Sequence, residues 1–354
     1  MTRRIGLLSS LTLLCFGFLW LASRAEAAAC YEMSGGVGVV CDARPGPAPF
    51  STPKPFADSI LDDIRYARIA DYANVYSQPG GAVVRNVGDG FLYATIYSGA
   101  NANGQLWYAI NSGEWVRAED LTFVDMSHFT GVEVNVQPER PFGWVLQEVQ
   151  PSDAPDAEPN PDYRKLERYT FFQVYGAAVG EDNWIWYDIG GRWIRQTYVA
   201  IVDLNAPPAD VGPNEFWVEV DLYEQTFAAY EGARMVYAGL VSSGLNRWPT
   251  YEGLYQVWSR RELGKMSGAE GKVDYYFIED VPHTMFFNVD IALHGAYWHD
   301  RFGYKHSHGC VNMPPRAAEW VYYWSENAPN DLWVWVHTSD PHHYFDKFSA
   351  ESGS

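Results

Sequence analysis

The stretch "FWVEVDLYEQTFAAYEGARMVYAGLVSSG", Phe216 to Gly244, constrains the fold more than any other. Apolar and polar residues alternate, break at "EQ", resume, break at "EG" and resume again. Alternation with period two and short polar breaks is the pattern of antiparallel strands joined by tight turns. "YEGLYQVW", "VDYYFIED" and "DLWVWVH" read as further strands of the same region. One helix is predicted, over "PPRAAEWVYYWSEN": proline suits a first helical turn, and Ala317, Trp320, Val321 and Trp324 form an i, i+3, i+4, i+7 stripe to pack on a sheet. The expectation is a mostly β domain over residues 213–338.

Two upstream segments repeat one another. "LWYAINSGEWVRAEDLTFVD", Leu106 to Asp125, and "IWYDIGGRWIRQTYVAIVD", Ile185 to Asp203, each read as strand, glycine turn, strand and a short β-prone tail. Trp107 aligns with Trp186 and Trp115 with Trp193. The segments resemble the closing half of bacterial SH3-like domains, which implies two small β-barrels, at 66–126 and 127–205. "VQPSDAPDAEPNPD", Val149 to Asp162, is read as a long loop within the second, and the proline-bearing "NAPPADVGPNE", Asn205 to Glu215, as the boundary to the last domain.

The first residues have the pattern of an export signal over 1–27. Arg3 and Arg4 precede the apolar "IGLLSSLTLLCFGFLWLA", and "AEA" supplies small residues for cleavage. The 354-residue chain has a formal charge of −19. Removing three Arg and one Glu with the signal brings it to about −21, which argues against nucleic acid and anionic membranes as partners. The mature protein is expected in the cell envelope or outside the cell, with no membrane contact once the signal is cleaved.

Export gives the cysteines their meaning. Cys15 leaves with the signal. Within the segment 28–65, Cys30 and Cys41 flank a glycine-bearing stretch and are expected to pair in an oxidising compartment, for about 2–3 kcal/mol of local constraint. Cys310 is left over in "HSHGCVNMP". Eight of the nine histidines lie beyond residue 280. A cysteine becomes a nucleophile when a nearby histidine takes its proton, and Gly309 lets a carbonyl approach backbone N–H groups. The spacing also allows zinc: on a strand His306, His308 and Cys310 would share one face, with His294 or His299 completing a site. An inert buried thiol is the third reading. The residues alone leave these open.

"IALHGAYWHDRFGYKHSHGCVNMP" resembles the active-site segment of the L,D-transpeptidases of the YkuD-like family, whose motif is a histidine, a gap, and then Ser/Thr-His-Gly-Cys-x-Asn/Arg. Here His294 precedes Ser307 by 13 residues. About 120 residues share the resemblance; "PTYEG" departs from the usual Thr-Pro-x-Gly. The resemblance implies a β-sandwich with one helix after the motif, no cofactor and no metal. It implies Cys310 as nucleophile and His294 as general base oriented by the Gly295 backbone. His308, Gly309 and Cys310 would supply an oxyanion hole, and Ser307 and Asn312 would hold the loop or substrate. The implied partners are donor and acceptor peptidoglycan stem peptides, joined 3→3 through a thioester with loss of D-Ala. Among Arg260, Arg261, Lys265, Arg301, Lys305 and Arg316, some are expected to bind a stem carboxylate, Arg316 in particular. Alternatives are an L,D-carboxypeptidase and, from another class, a wall-binding protein with a zinc-structured β-domain. The SH3-like modules would hold glycan or peptide, or act as spacers.

Overall fold

The computed structural model describes residues 48–268 and 275–340 in full, together with the backbone of 29–32 and 39–42. The export signal, Cys15 and residues 341–354 lie outside the described residues. The strands Ala29–Glu32 and Val39–Asp42 pair with Cys30 opposite Cys41; the expected disulfide concerns side chains outside the described residues.

The architecture is mostly β. Two seven-stranded sheets form its centre. In one, the meander Phe216–Asp221, Thr226–Glu231 and Arg234–Leu240 runs antiparallel as its alternation predicts. Gln225 and Gly232, both with positive φ, turn the chain at the two breaks. Trp333–His337 adds on in parallel to Phe216–Asp221, and Gly253–Gln256 pairs with it. Val132–Val134 and Phe50–Ser51 extend the other edge.

The second sheet has the order Leu121–Phe123, Tyr66–Ile69, Phe91–Thr95, Tyr276–Asn288, Ile291–Gly295, Val311–Met313, with Ser259–Gly268 also paired to Tyr276–Asn288. Three of its strands come from upstream of residue 130. Phe91–Thr95 runs parallel to the long strand Tyr276–Asn288, with Phe91 opposite Tyr276 and Tyr93 opposite Ile278. Residues 74–117 contribute a further five-stranded sheet, and residues 142–202 two three-stranded ones. Residues 146–170 carry no strand; they fold against residues 142–202 through bridges such as Val149 with Leu166 and Ser152 with Trp193.

The helix Pro315–Ser325 lies between the sheets' residues, with proline in its first turn. Its buried face differs from the predicted stripe. Ala317, Ala318, Val321 and Tyr322 are buried among Val218, Leu293 and Val311. Trp320 and Trp324 flank that face instead, half-buried, stacking on Tyr237 at 4.2 Å and Phe216 at 4.8 Å. A stripe wide enough for four residues places the bulkiest at its rim, where indole N–H groups reach acceptors: Trp320 Nε1 donates to Glu133 and Trp324 Nε1 to Glu231.

Candidate active site

Two parallel strands position the expected pair. Ile291–Gly295 and Val311–Met313 register with His294 opposite Asn312. Side chains alternate along a strand, so Leu293 and Val311 enter the core while His294 and Asn312 face the other way. Cys310, two residues before Asn312, lies at the start of that same face. His294, Cys310 and Asn312 all line one cleft of about 490 Å³.

His294 is buried and its Nδ1 lies 3.2 Å from the Gly295 carbonyl. A ring nitrogen facing a carbonyl must carry the proton, so Nδ1–H donates and Nε2 keeps its lone pair. Burial lowers the His294 pKa to about 4, so the ring is neutral at pH 7. Gly295 is tightly held: an added Cβ would stand 2.9 Å from Pro282 Cγ. Burial raises the Cys310 thiol to about 11. The thiol donates a long hydrogen bond, 3.8 Å, to the Asp290 carbonyl. Cysteine and histidine therefore rest as a neutral pair.

The motif "HSHGC" is a turn, and Ser307 organises it. Its Oγ accepts from Gly309 N–H at 3.1 Å and donates to the Cys310 carbonyl at 2.5 Å. Gly309 has φ +119, a conformation side-chain-bearing residues rarely adopt. The geometry changes two expectations. His306, His308 and Cys310 do not share a strand face, and no group of three or more His, Cys, Asp or Glu among the described residues is placed to hold a metal ion. The Gly309 N–H expected in an oxyanion hole is already engaged by Ser307.

His308 lies in the cleft wall, its ring 3.9 Å from Trp248 and 5.0 Å from Tyr276. Asn312 is buried, with its amide Nδ2 2.9 Å from His299 Nε2. His299 Nδ1 accepts from the Arg301 N–H at 3.1 Å. Burial first, then His306 and His294, holds this ring well below the usual range and neutral. A neutral ring whose Nδ1 accepts carries its proton on Nε2. Asn312 Oδ1 is buried without a partner among the described residues. Rotating the amide by half a turn gives Oδ1 that proton and turns the NH₂ away from the ring.

Arg316 is a correction. It does not line the cleft; it lines a separate pocket with Asp62 and Glu319. Its guanidinium donates to Asp62, to Ser59 Oγ at 2.6 Å and to Glu319 Oε2 at 3.2 Å. The first turn of the helix directs it toward the 53–62 segment, so it ties structure together. The other five expected cations do not line the cleft either; Arg260, for one, donates to Ser325 Oγ. Among the described residues, the cations lining the cleft are Arg68 and Arg247.

Sequence reasoning missed Arg68, Arg247 and Thr250. Thr250 Oγ1 donates to the Gly309 carbonyl at 2.7 Å and accepts from Gly244 N–H at 2.9 Å. It belongs to "PTYEG", the departure from the family pattern, and that departure was its one signal.

Residues 215–339 match the family described as the L,D-transpeptidase catalytic domain, YkuD. A curated Bacillus subtilis (strain 168) protein named as an L,D-transpeptidase, YciB, is 28% identical over 153 residues, covering 38% of this chain and 75% of that protein. Among solved structures, an Enterococcus faecium L,D-transpeptidase is 23% identical over 35% of this chain and 50% of its own, with a TM-score of 0.31. The L,D-transpeptidase from Mycobacterium smegmatis is 16% identical over 61% of this chain and 93% of its own, with a TM-score of 0.33. The match thus spans half of the first of these structures. The residues that match the L,D-transpeptidase catalytic domain, YkuD, carry His294 and the turn around Cys310.

Proposed function

We propose that this chain is an envelope L,D-transpeptidase that joins peptidoglycan stem peptides 3→3 through a thioester on Cys310. The observation that carries this reading is the pairing of Cys310 and His294 on one face of adjacent strands, with the His294 lone pair free because the Gly295 carbonyl holds Nδ1–H.

Both groups rest neutral, so the proton moves as the carbon–sulfur bond forms. Cys310 Sγ attacks the carbonyl carbon of the third stem residue while its proton passes to His294 Nε2. The carbonyl electrons collect on oxygen, and the Cys310 backbone N–H, at the bend before Val311, is a donor for it. The intermediate collapses, the bond to D-Ala breaks, and His294 returns the proton to the departing amine. A thioester remains. The side-chain amine of a second stem then attacks it, gives its proton to His294, and expels the sulfur, which recovers that proton. An amide is broken and an amide is made, so no outside energy source is needed. Ser307 and Thr250 shape the turn around the sulfur, and Asn312 presents its amide beside it. Water in place of the amine would yield a tripeptide.

Mass spectrometry of the full chain with a disaccharide-tetrapeptide tests this. The wild type should give cross-linked dimers with loss of D-Ala, and Cys310→Ala should give none. His294→Asn should lose about 10²–10⁴-fold in rate, the range for a positioned acid–base group. Dimers formed by Cys310→Ala at the wild-type rate would end the reading. Tripeptide without dimer would replace transfer by hydrolysis.

A further inference from the structure

Three peptide units around the sulfur are pinned by two side chains. Ser307 holds the outer two: its Oγ accepts from the Gly309 N–H at 3.1 Å and donates to the Cys310 carbonyl at 2.5 Å. The middle unit, which joins Gly309 to Cys310, is held from another loop. Thr250 Oγ1 donates to its carbonyl at 2.7 Å.

The Cys310 N–H belongs to that middle unit. A trans peptide sets N–H and C=O on opposite sides of one plane. The bond that draws the Gly309 carbonyl toward Thr250 therefore turns the Cys310 N–H away from it. The backbone gives little help in fixing that plane. Gly309 has φ +119, and a glycine has no Cβ to restrict the peptide that follows it.

Thr250 itself has little freedom. It is buried, and its Oγ1 accepts from the Gly244 N–H at 2.9 Å. A hydroxyl has one proton, and here it is committed to Gly309, so its direction is set. The loop 244–250 that carries Thr250 docks on the motif through backbone. Gly244 bridges Ser307 in parallel, and the Leu245 N–H donates to the Ser307 carbonyl at 3.0 Å. The loop closes with the Trp248 N–H on the Leu245 carbonyl at 2.8 Å. It closes so tightly that a Cβ added at Gly244 would collide with the Trp248 carbonyl oxygen. Thr250 lines a separate pocket with Gly244 and Pro249, while Ser307, His308 and Cys310 line the cleft.

We propose that Thr250 is a positioning residue for acyl transfer: by holding the Gly309 carbonyl it aims the Cys310 N–H at the oxygen of the carbonyl under attack. This rests on Cys310 as the acyl-forming nucleophile of the reading above, and not on the identity of the peptide. In the step it serves, Sγ bonds to the carbonyl carbon, the thiol proton passes to His294 Nε2, and the carbonyl π electrons move onto the oxygen that the N–H meets.

Two reagents separate this role from general support of the turn. p-Nitrophenyl acetate acylates a thiol through a tetrahedral oxyanion. Iodoacetamide alkylates it by direct displacement, with no oxyanion. Both draw on the same thiolate. Rates are read on the full chain, with Cys310→Ala as the blank. Thr250→Val keeps the shape of the side chain and removes the donor. Its acylation should slow about 10²-fold, the low end for loss of one oxyanion donor, while alkylation should change less than about twofold. Thr250→Ser keeps the hydroxyl and should retain most of the wild-type acylation rate. Thr250→Ala is the second hydroxyl-free variant, read in place of valine should that chain not fold. Equal losses with both reagents would make Thr250 a support of the whole turn and overturn the proposal. So would unchanged acylation, a serine variant as slow as the valine one, or a wild type not acylated above the blank. Absence of cross-linked tetrapeptide would count against the peptidoglycan reading alone, since neither reagent is a peptide.

Discussion

The repeated segments Leu106–Asp125 and Ile185–Asp203 fold alike and then diverge. Each forms a hairpin in which the first tryptophan faces an arginine, Trp107 opposite Arg117 and Trp186 opposite Arg195. Each continues into a single 3₁₀ turn, Ala118–Asp120 or Gln196–Tyr198, and a closing strand. The closing strand of the first, Leu121–Phe123, is half-buried to exposed and pairs with Tyr66–Ile69 at the edge of the catalytic sheet. That of the second, Val199–Val202, is wholly buried and pairs with Phe142–Val145. The tails explain the difference. "LTFVD" alternates, as suits one covered face; "VAIVD" is apolar on both faces. Val199 and Ile201 pack into their own small core, while Ala200 and Val202 pack with Trp217 and Tyr230 of the catalytic region. The first region joins residues 215–339 by backbone pairing and contributes to the cleft; residues 142–202 join by side-chain packing and contribute to the core, while Val132–Val134 just upstream of them pairs with Arg234–Leu240.

The largest expected effect separates the joints by pH. His283 and His294 both lie in strands of the sheet shared with the first region, and burial lowers each pKa from 6.5 to about 4. Arg316 adds to the lowering at His283, whose two ring nitrogens have no hydrogen-bond partner among the described residues. The unfolded chain binds these protons first, so stability is whole above pH 6.5 and falls as pH drops to about 4. At about 1.4 kcal/mol per pKa unit the loss is about 3 kcal/mol for each histidine. Urea midpoints between pH 7 and 4, read with hydrogen exchange, should show 91–95 and 276–288 loosening before 142–202. A flat profile, or the reverse order, would break the comparison.

The next effect addresses the packed joint. Trp144 is buried against Phe129 and Phe171, with ring centroids 5.5 and 5.8 Å away. Trp144→Ala should cost about 3–5 kcal/mol. Below its lowered melting temperature the folded variant should still cross-link the disaccharide-tetrapeptide at the wild-type rate, since Trp144 does not line the cleft. A slower rate in the folded variant would give the second region a share in the site.

How much of this could be read from the sequence follows from distance along the chain. The meander, the helix and the cysteine–histidine motif rest on local patterns, and those patterns were legible; that "SHGC" is a turn and not a strand was not. The order of elements in each repeat was also legible, since hairpin and tail lie within twenty residues. The pairing of Phe91 with Tyr276 was not: a parallel contact between remote strands leaves no period in either. Arg68 therefore carried no signal, and the carboxylate-binding expectation went to cations nearer the motif. Arg316 illustrates the error, because adjacency to Cys310 in sequence ended at a proline that turned the chain into a helix facing Ser59 and Asp62. His299 and Asn312 were each noticed, but their contact depends on how the 296–306 loop folds back, which spacing does not encode.

The smallest effect tests the paired joint itself. Thr95 Oγ1 donates to the Asp280 carboxylate, and Tyr97 OH reaches the same oxygen at 3.5 Å. Thr95→Val keeps the shape of the side chain and removes the donor, at a cost of about 1.5–3 kcal/mol for a hydrogen bond to a charged acceptor. That is less than the cost expected at Trp144, yet the functional consequence should be the greater. The bond helps hold the strand that begins with Phe91, a residue of the cleft. Thr95→Val should therefore slow cross-linking of the disaccharide-tetrapeptide several-fold in the folded protein, while Trp144→Ala should not. An unchanged rate would mean backbone pairing alone holds Phe91 in place. Only the selective loss at Thr95 makes the first region part of the site while the second remains a buttress.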